Sequence, residues 1–184
     1  RRDGSSNFGE NNRYAYLPAV SLAWRVNEEY FLQNSRLISE LKLKLSYGLT
    51  GNDNIGAFRS LDVYSGGANY YGSPGTVPGQ ISNPDIKWET TSNTNAGIDL
   101  GLYNNRILLS TDFYYNHTKD LLLFRVLPGS SGFTSYADNI GELENKGMEF
   151  DLTTQNLTGT LTWTTNFNIS FNRNKILKLY GDKP

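Results

Sequence analysis

The sequence predicts an all-β chain of long antiparallel strands, of the kind that stand side by side in the wall of a membrane-spanning barrel. Three observations carry this expectation. Apolar and polar residues alternate over long runs, short Asn/Gly turns alternate with long connections, and aromatic residues and glycines are abundant.

The longest run is Thr160 to Asn172. Leu161, Trp163, Thr165, Phe167, Ile169 and Phe171 alternate there with Thr, Asn and Ser. In a strand, successive side chains point to opposite faces, so this places one apolar and one polar face back to back. Ile107 to Tyr115 repeats the pattern, with Ile107, Leu109, Thr111, Phe113 and Tyr115 on one face. Shorter cases are Leu41, Leu43, Leu45 and Tyr47 around Lys42 and Lys44; Ile98, Leu100 and Leu102 around Asp99; and Met148, Phe150 and Leu152 around Asp151. Val20, Leu22 and Trp24 mark a sixth strand.

Two short connections support the same faces. Around Tyr103–Arg106, pairing Leu102 with Ile107 sets Leu100 opposite Leu109 and Asp99 opposite Ser110. Around Asn156–Gly159, pairing Thr154 with Leu161 sets Leu152 opposite Trp163 and Met148 opposite Phe167. Asn/Gly turns suit such hairpins. Between them lie long links at 48–90 and 118–141, and an intermediate link at 26–40 with a helical turn expected at Glu28–Phe31. Membrane barrels put short turns at the periplasmic end and long loops outside, so loops 48–90 and 118–141 are expected to be extracellular.

Composition narrows the alternatives. Seventeen basic against 18 acidic residues leave no broad positive footprint for nucleic acid. There is no cysteine and one histidine, His117, so disulfides, thiolate metal sites and imidazole clusters are excluded and no cofactor is expected. No stretch reaches the ~18 consecutive apolar residues of a membrane helix. A negative mean hydropathy does not argue against a barrel, whose strands are only half apolar. Twelve tyrosines, nine phenylalanines and three tryptophans fit strands and aromatic girdles.

A soluble sheet with one wet face also alternates. Strand lengths favour the membrane, because soluble strands centre on about five or six residues whereas a tilted membrane strand needs about 9 to 11. No long amphipathic helix is available to cover the apolar face, although a β-sandwich could bury two such faces together. A soluble β-sandwich carbohydrate-binding module therefore stands as the alternative.

At the level of local strings the chain resembles the later barrel portion of SusC/RagA-type TonB-dependent outer-membrane transporters of Bacteroidetes. The strings are RRDGSS at 1–6, FGENNRY at 8–14, PAVSLAWR at 18–25, LKLSYGLTGN at 43–52, NPDIKWETT at 83–91, NNRI at 104–107, LPGSSGF at 127–133 and NKGMEF at 145–150. The resemblance implies a barrel of about 22 strands with an N-terminal plug. It also implies a SusD-like surface lipoprotein as partner, a glycan or peptide as substrate, and energy supplied by the TonB complex. Residues 1–184 then read as part of the barrel domain in the bacterial outer membrane, without the plug and ending at Gly181–Pro184 just past a strand.

The facing assignment defines the candidate residues. Leu161, Trp163, Phe167, Ile169 and Phe171 are expected to face the lipid bilayer, and Lys42, Lys44, Asp99, Asp112 and Asp151 the lumen. Paired lumen carboxylates could in principle serve a glycosidase, but water-facing carboxylates are ordinary porin content, and no enzyme is expected. Tyr64, Tyr70, Tyr71 and Trp88, in or beside the longest loop, are candidates for stacking on a ligand. Packing within the loop or in the upper girdle is the competing reading. The glycines at 66, 67, 72, 75 and 79 do not follow a strand into a helix, so phosphate binding is a poor reading. His117 lacks any partner for a triad or zinc site and is expected at a loop edge.

Overall fold

The computed structural model describes residues 1–180. In chain order the strands are β1 (Arg2–Gly4), β2 (Tyr14–Tyr16), β3 (Ala19–Arg25), β4 (Ile38–Asn52), β5 (Tyr64–Gly66) and β6 (Thr76–Pro78). They continue as β7 (Glu89–Leu102), β8 (Ile107–Lys119), β9 (Leu122–Val126), β10 (Ser135–Asn139), β11 (Glu142–Thr158) and β12 (Thr162–Lys178). The expected chain end at Gly181–Pro184 lies outside the described residues.

Six strands form one antiparallel sheet in the order β3-β4-β7-β8-β11-β12, so every neighbour in space is the next wall strand in sequence. Three two-stranded hairpins, β1-β2, β5-β6 and β9-β10, belong to the segments at the long-loop end. The up-and-down order follows from the connections, since short links only permit antiparallel neighbours.

Register turns the alternation into continuous rows. Leu41, Leu100, Leu109, Leu152 and Phe167 are successive cross-strand partners. So are Leu43, Ile98, Thr111, Phe150 and Ile169, and so are Leu45, Ala96, Phe113, Met148 and Phe171. On the other face run Lys42, Asp99, Ser110, Asp151 and Asn168, then Lys44, Gly97, Asp112, Glu149 and Ser170. The apolar face is bare: Trp163, Phe167 and Phe171 are 59%, 54% and 52% exposed. Among the described residues no second sheet lies over it, which removes the arrangement a β-sandwich requires.

The β7–β8 hairpin has the expected register, with Leu102 opposite Ile107, Leu100 opposite Leu109 and Asp99 opposite Ser110. Its turn holds Tyr103, Asn104 and Asn105 at φ of 51°, 55° and 61°, the left-handed region that asparagine tolerates better than most residues.

The β11–β12 hairpin differs from expectation. Leu152 faces Phe167 and Met148 faces Phe171, four residues along from the pairing read in the sequence. The Asn156 region reads as a turn, yet β11 continues through it to Thr158 with a bulge between Gln155 and Leu157. Arg106 explains how the bulge is held. Its guanidinium donates to the carbonyls of Gln155 and Asn156, both at 3.2 Å, while the Asn156 amide donates to Thr165 Oγ1 at 2.7 Å. Because four is even, Phe167, Ile169 and Phe171 keep their face. The extra residue also returns Leu157 to that face, opposite Trp163. Leu161 falls in the turn rather than in the strand.

Two further expectations shift. β8 runs on to Lys119, so His117 lies within a strand opposite Glu144 and not at a loop edge. The helical turn expected at Glu28–Phe31 in the 26–40 link is divided between a 3-10 turn at Val26–Glu28 and a second turn in which the N–H groups of Leu32 and Gln33 both donate to the Glu29 carbonyl at 2.9 Å. Trp24 Nε1 donates to Glu29 at 2.9 Å and Leu41 N–H to Asn27 Oδ1 at 3.1 Å, tying this link to the wall.

The buried core is not in the wall at all. Phe8, Ile55, Ile86, Leu122 and Ala137 form one cluster at the long-loop end, drawn from the N-terminal segment and both long loops. Phe8 and Ile86 are the largest fully buried side chains. Replacing Ile86 by alanine removes buried volume from this cluster and is expected to loosen it by about 2–5 kcal/mol. Hydrogen exchange should then rise in loops 53–88 and 120–141 while the amides of β7, β8 and β11 stay protected; equal loss in the wall would show that the cluster and the wall unfold together.

Candidate functional site

The polar face of the sheet carries a charged network across β4, β7 and β8. Lys44 Nζ lies 2.8 Å from Asp99 Oδ1 and 3.2 Å from Asp112 Oδ1. Ser110 Oγ donates to Asp99 Oδ1 at 2.7 Å. Gly97 sits beneath these groups. A Cβ there would press on Asp112 Oδ1 and Lys44 Cε, so glycine opposite Lys44 and Asp112 leaves both side chains free to fold over the strand and meet. Lys42 is the cross-strand partner of Asp99, and Asp151 that of Ser110 and Asn168. Lys42, Lys44, Asp99, Asp112 and Asp151 therefore share one face. The carboxylates of Asp99 and Asp112 converge on one ammonium and one hydroxyl, the arrangement of a network that fastens three strands and lines a surface with fixed charge.

Above this face stand the loops, and they are stitched together by asparagine side chains. Asn83 Nδ2 donates to the Ala137 carbonyl at 2.9 Å in a buried contact. Asn139 pairs with Lys87 in both directions, accepting from its N–H and donating to its carbonyl, each at 2.8 Å. Asn12 donates to the Asp85 carbonyl at 3.0 Å, and Asn7 to that of Asp53 at 3.1 Å. Lys87 Nζ reaches Asp120 at 2.9 Å, and Glu89 Oε2 accepts from Leu122 N–H at 3.1 Å. Together they tie one loop to the other, and the Asn83 bond satisfies a carbonyl that their packing buries.

The loop aromatics separate into two kinds. Tyr64 is exposed in β5, and Tyr70 and Tyr71 are 82% and 97% exposed with ring centroids 6.1 Å apart. Trp88 instead packs against the buried cluster, 5.4 Å from the Phe8 ring, and its indole N–H donates to the Arg13 carbonyl at 3.2 Å. Its place just before β7 puts it at the root of the loop, whereas Tyr70 and Tyr71 stand on the tip. In the β9-β10 hairpin, burial pushes the Tyr136 phenol up from its ordinary range, with Asp138 adding to the effect, and the Arg125 guanidinium lies 5.1 Å from its ring.

Sequence reasoning placed the charges but missed the residues that fix the loops, chiefly Asn83, Ile86, Glu89 and Asn139. A signal was available. The string NPDIKWE holds an apolar residue between groups capable of backbone hydrogen bonds, immediately before a strand. Side-chain amides in such positions substitute for strand or turn partners.

A sheet with one bare apolar face, one charged face, short turns at one end and knitted loops at the other defines a segment of membrane β-barrel wall. Comparison with known proteins gives the family. The chain belongs to the TonB dependent receptor-like, β-barrel family, whose model matches residues 1–183. It is 44% identical over 183 residues to TonB-dependent receptor P3 of Formosa agariphila, covering 97% of this chain and 18% of that protein. It is 39% identical over 193 residues to TonB-dependent receptor SusC of Bacteroides thetaiotaomicron, covering 98% of this chain and 19% of that protein. Among solved structures, the RagAB peptide transporter superposes with a TM-score of 0.89 at 33% identity, over 99% of this chain and 20% of that one. The chain thus spans about a fifth of the length of these relatives.

The network on the polar face is testable by a double-mutant cycle in the complete protein. Lys44→Met with Asp99→Asn should show a coupling of about 0.5–1 kcal/mol that shrinks in high salt, and Lys42→Met with Asp99→Asn a smaller one. Equal couplings would mean that Lys44 has no special place between the two carboxylates.

Proposed function

We propose that this chain supplies part of the wall and extracellular loops of an outer-membrane importer for oligosaccharides or peptides, residues 1–184 being a piece of its barrel domain. The observation that carries the reading is the set of three rows, apolar but for Thr111, opposite a charged face, on wall strands of which five run for 13 to 17 residues. Apolar rows in that position suit a bilayer, and the Lys44–Asp99–Asp112 face suits a water-filled lumen. Family membership supports the same role. Transport here is gated passage, with the plug and the TonB-contacting parts provided by the rest of the protein.

In this reading Trp163, Phe167, Ile169 and Phe171 face lipid, with Leu161 at the periplasmic turn below them. Lys42, Lys44, Asp99, Asp112 and Asp151 face the lumen. Tyr64, Tyr70 and Tyr71 contact the arriving substrate, because exposed rings at a loop tip can stack on a sugar or a side chain at small conformational cost. Trp88 holds the loop that presents them. A SusD-like surface lipoprotein closes over this end, where both long loops emerge.

Two measurements test the assignment. Phe167→Lys should weaken folding of the complete protein into phospholipid vesicles by about 2–4 kcal/mol, whereas Asn166→Lys should be mild. Equal effects would reverse or abolish the facing assignment. Replacing Tyr70 and Tyr71 together by alanine should weaken binding of the transported oligosaccharide or peptide roughly tenfold, the effect of losing about 1.4 kcal/mol of ring contact. Calorimetric titration showing unchanged affinity would remove these rings from the substrate path.

A further inference from the structure

The outward face changes character just above its apolar rows. Beyond Phe113, Met148 and Phe171 the next cross-strand partners are Tyr115, Lys146 and Arg173, then His117, Glu144 and Lys175. Above these, Glu142 pairs with Lys119 on one side and Lys178 on the other, across the register shift that follows it. Three adjacent strands thus bring Lys119, Lys146, Arg173 and Lys175 together, and the carboxylates among their cross-strand partners are Glu142 and Glu144.

Both carboxylates are already engaged. Glu144 accepts from Lys146 Nζ at 2.7 Å and from Tyr115 OH at 3.0 Å, and Glu142 lies 3.1 Å from His117 Nε2. Arg173 and Lys175 are exposed and form no ion pair among the described residues. Toward β7 and β4 the excess charge stops. At the same heights the outward residues of β7 are Thr94, Ser92 and Thr90, and those of β4 are Tyr47, Leu49 and Gly51. The inward row between them is neutral as well, running Asn93, Asn116, Asn145 and Asn174. A general need for solubility would not sort cations onto one face of three strands.

We infer that this patch binds the phosphate groups of a lipid headgroup in the outer leaflet. The inference rests on the outer-membrane reading above. Lipid tails lying against Phe113, Met148 and Phe171 bring their headgroups to the level of Lys146, Arg173 and Lys175. With strands about 4.8 Å apart and outward residues about 6.8 Å apart along each, the patch is roughly 10 Å wide and 14 Å tall, a span that one or two phosphates fill. Arg173 supplies a planar fork for phosphate oxygens, and Lys175 and Lys146 supply point charges beside it. Basic residues at a membrane surface attract anionic headgroups in this way.

The test uses the complete protein in phosphatidylcholine nanodiscs containing either diphosphoryl lipid A or its dephosphorylated form. Retained lipid is counted by native mass spectrometry, and folding is checked by heat-modifiable gel mobility. The wild type should retain the phosphorylated lipid, and Arg173→Gln with Lys175→Gln should lower its retention about tenfold or more. A control of equal charge loss at the opposite end, Arg25→Gln with Arg36→Gln, should retain it as the wild type does. Equal retention of both lipids, or no difference between the two double variants, would overturn the site while leaving the membrane reading intact. Displacement by millimolar inorganic phosphate alone would show a free-anion site and overturn the lipid assignment. Failure of the wild type to float with vesicles would overturn the membrane reading itself, and this inference with it.

Discussion

Period-two pairing places three largely apolar rows side by side on one face of the sheet with none of the described residues over them, and the rest of the structure answers to that. Water would make such a face costly, at about 25 cal/mol for each Å² of apolar surface left wet. A bilayer removes the cost but imposes another condition, since backbone N–H and C=O groups at its depth have to be paired within the protein. The wall meets this by strand pairing over long stretches, β7 with β8 from Thr90–Lys119 to Leu102–Ile107 and β11 with β8 from Glu142–Lys119 to Thr154–Ile107. Even the interruption in β11 is managed, with Arg106 taking the carbonyls that the bulge frees.

Because the wall has no packed interior of its own, side-chain burial is concentrated where the loops meet. The segments that form this clamp are FGENNRY and NPDIKWE, two of the strings through which the chain resembles its family. Phe8 and Ile86 fill the centre, and a Cβ on Gly9 would come within 2.8 Å of the Pro84 carbonyl. Asn12 and Asn83 supply the hydrogen bonds that let irregular backbone pack closely. These two strings thus fasten the loops through the buried Phe8, Asn83 and Ile86, while Glu10, Asn11, Pro84 and Lys87 beside them stay exposed.

Much of the wall was legible in the sequence because alternation, strand length and turn chemistry agreed. The face shared by Lys42, Lys44, Asp99, Asp112 and Asp151 follows from parity alone, and so does that of Phe167, Ile169 and Phe171. What parity does not encode is where a polar strand ends. Glu89–Asn95 and Thr153–Thr158 are strand in the structure although they lack apolar alternation, and the second of these carried the register of β11–β12 four residues away from the expected one. Trp88 could not be sorted from Tyr70 and Tyr71 for a related reason. Burial in a loop depends on which distant loop arrives, here Phe8 from the N-terminal segment, and no local pattern reports that.

The clamp divides each long loop into a root and a tip. Roots near Ile55, Ile86, Leu122 and Ala137 are fixed by burial, while β5, β6 and the β9-β10 turn around Gly129–Ser131 stand away from the cluster. Register in the wall and packing at the roots are therefore set without the tips. A wall arranged in this way can change its loop tips piece by piece: a tip can lengthen, shorten or be grafted from a relative while the strands beneath it keep their register.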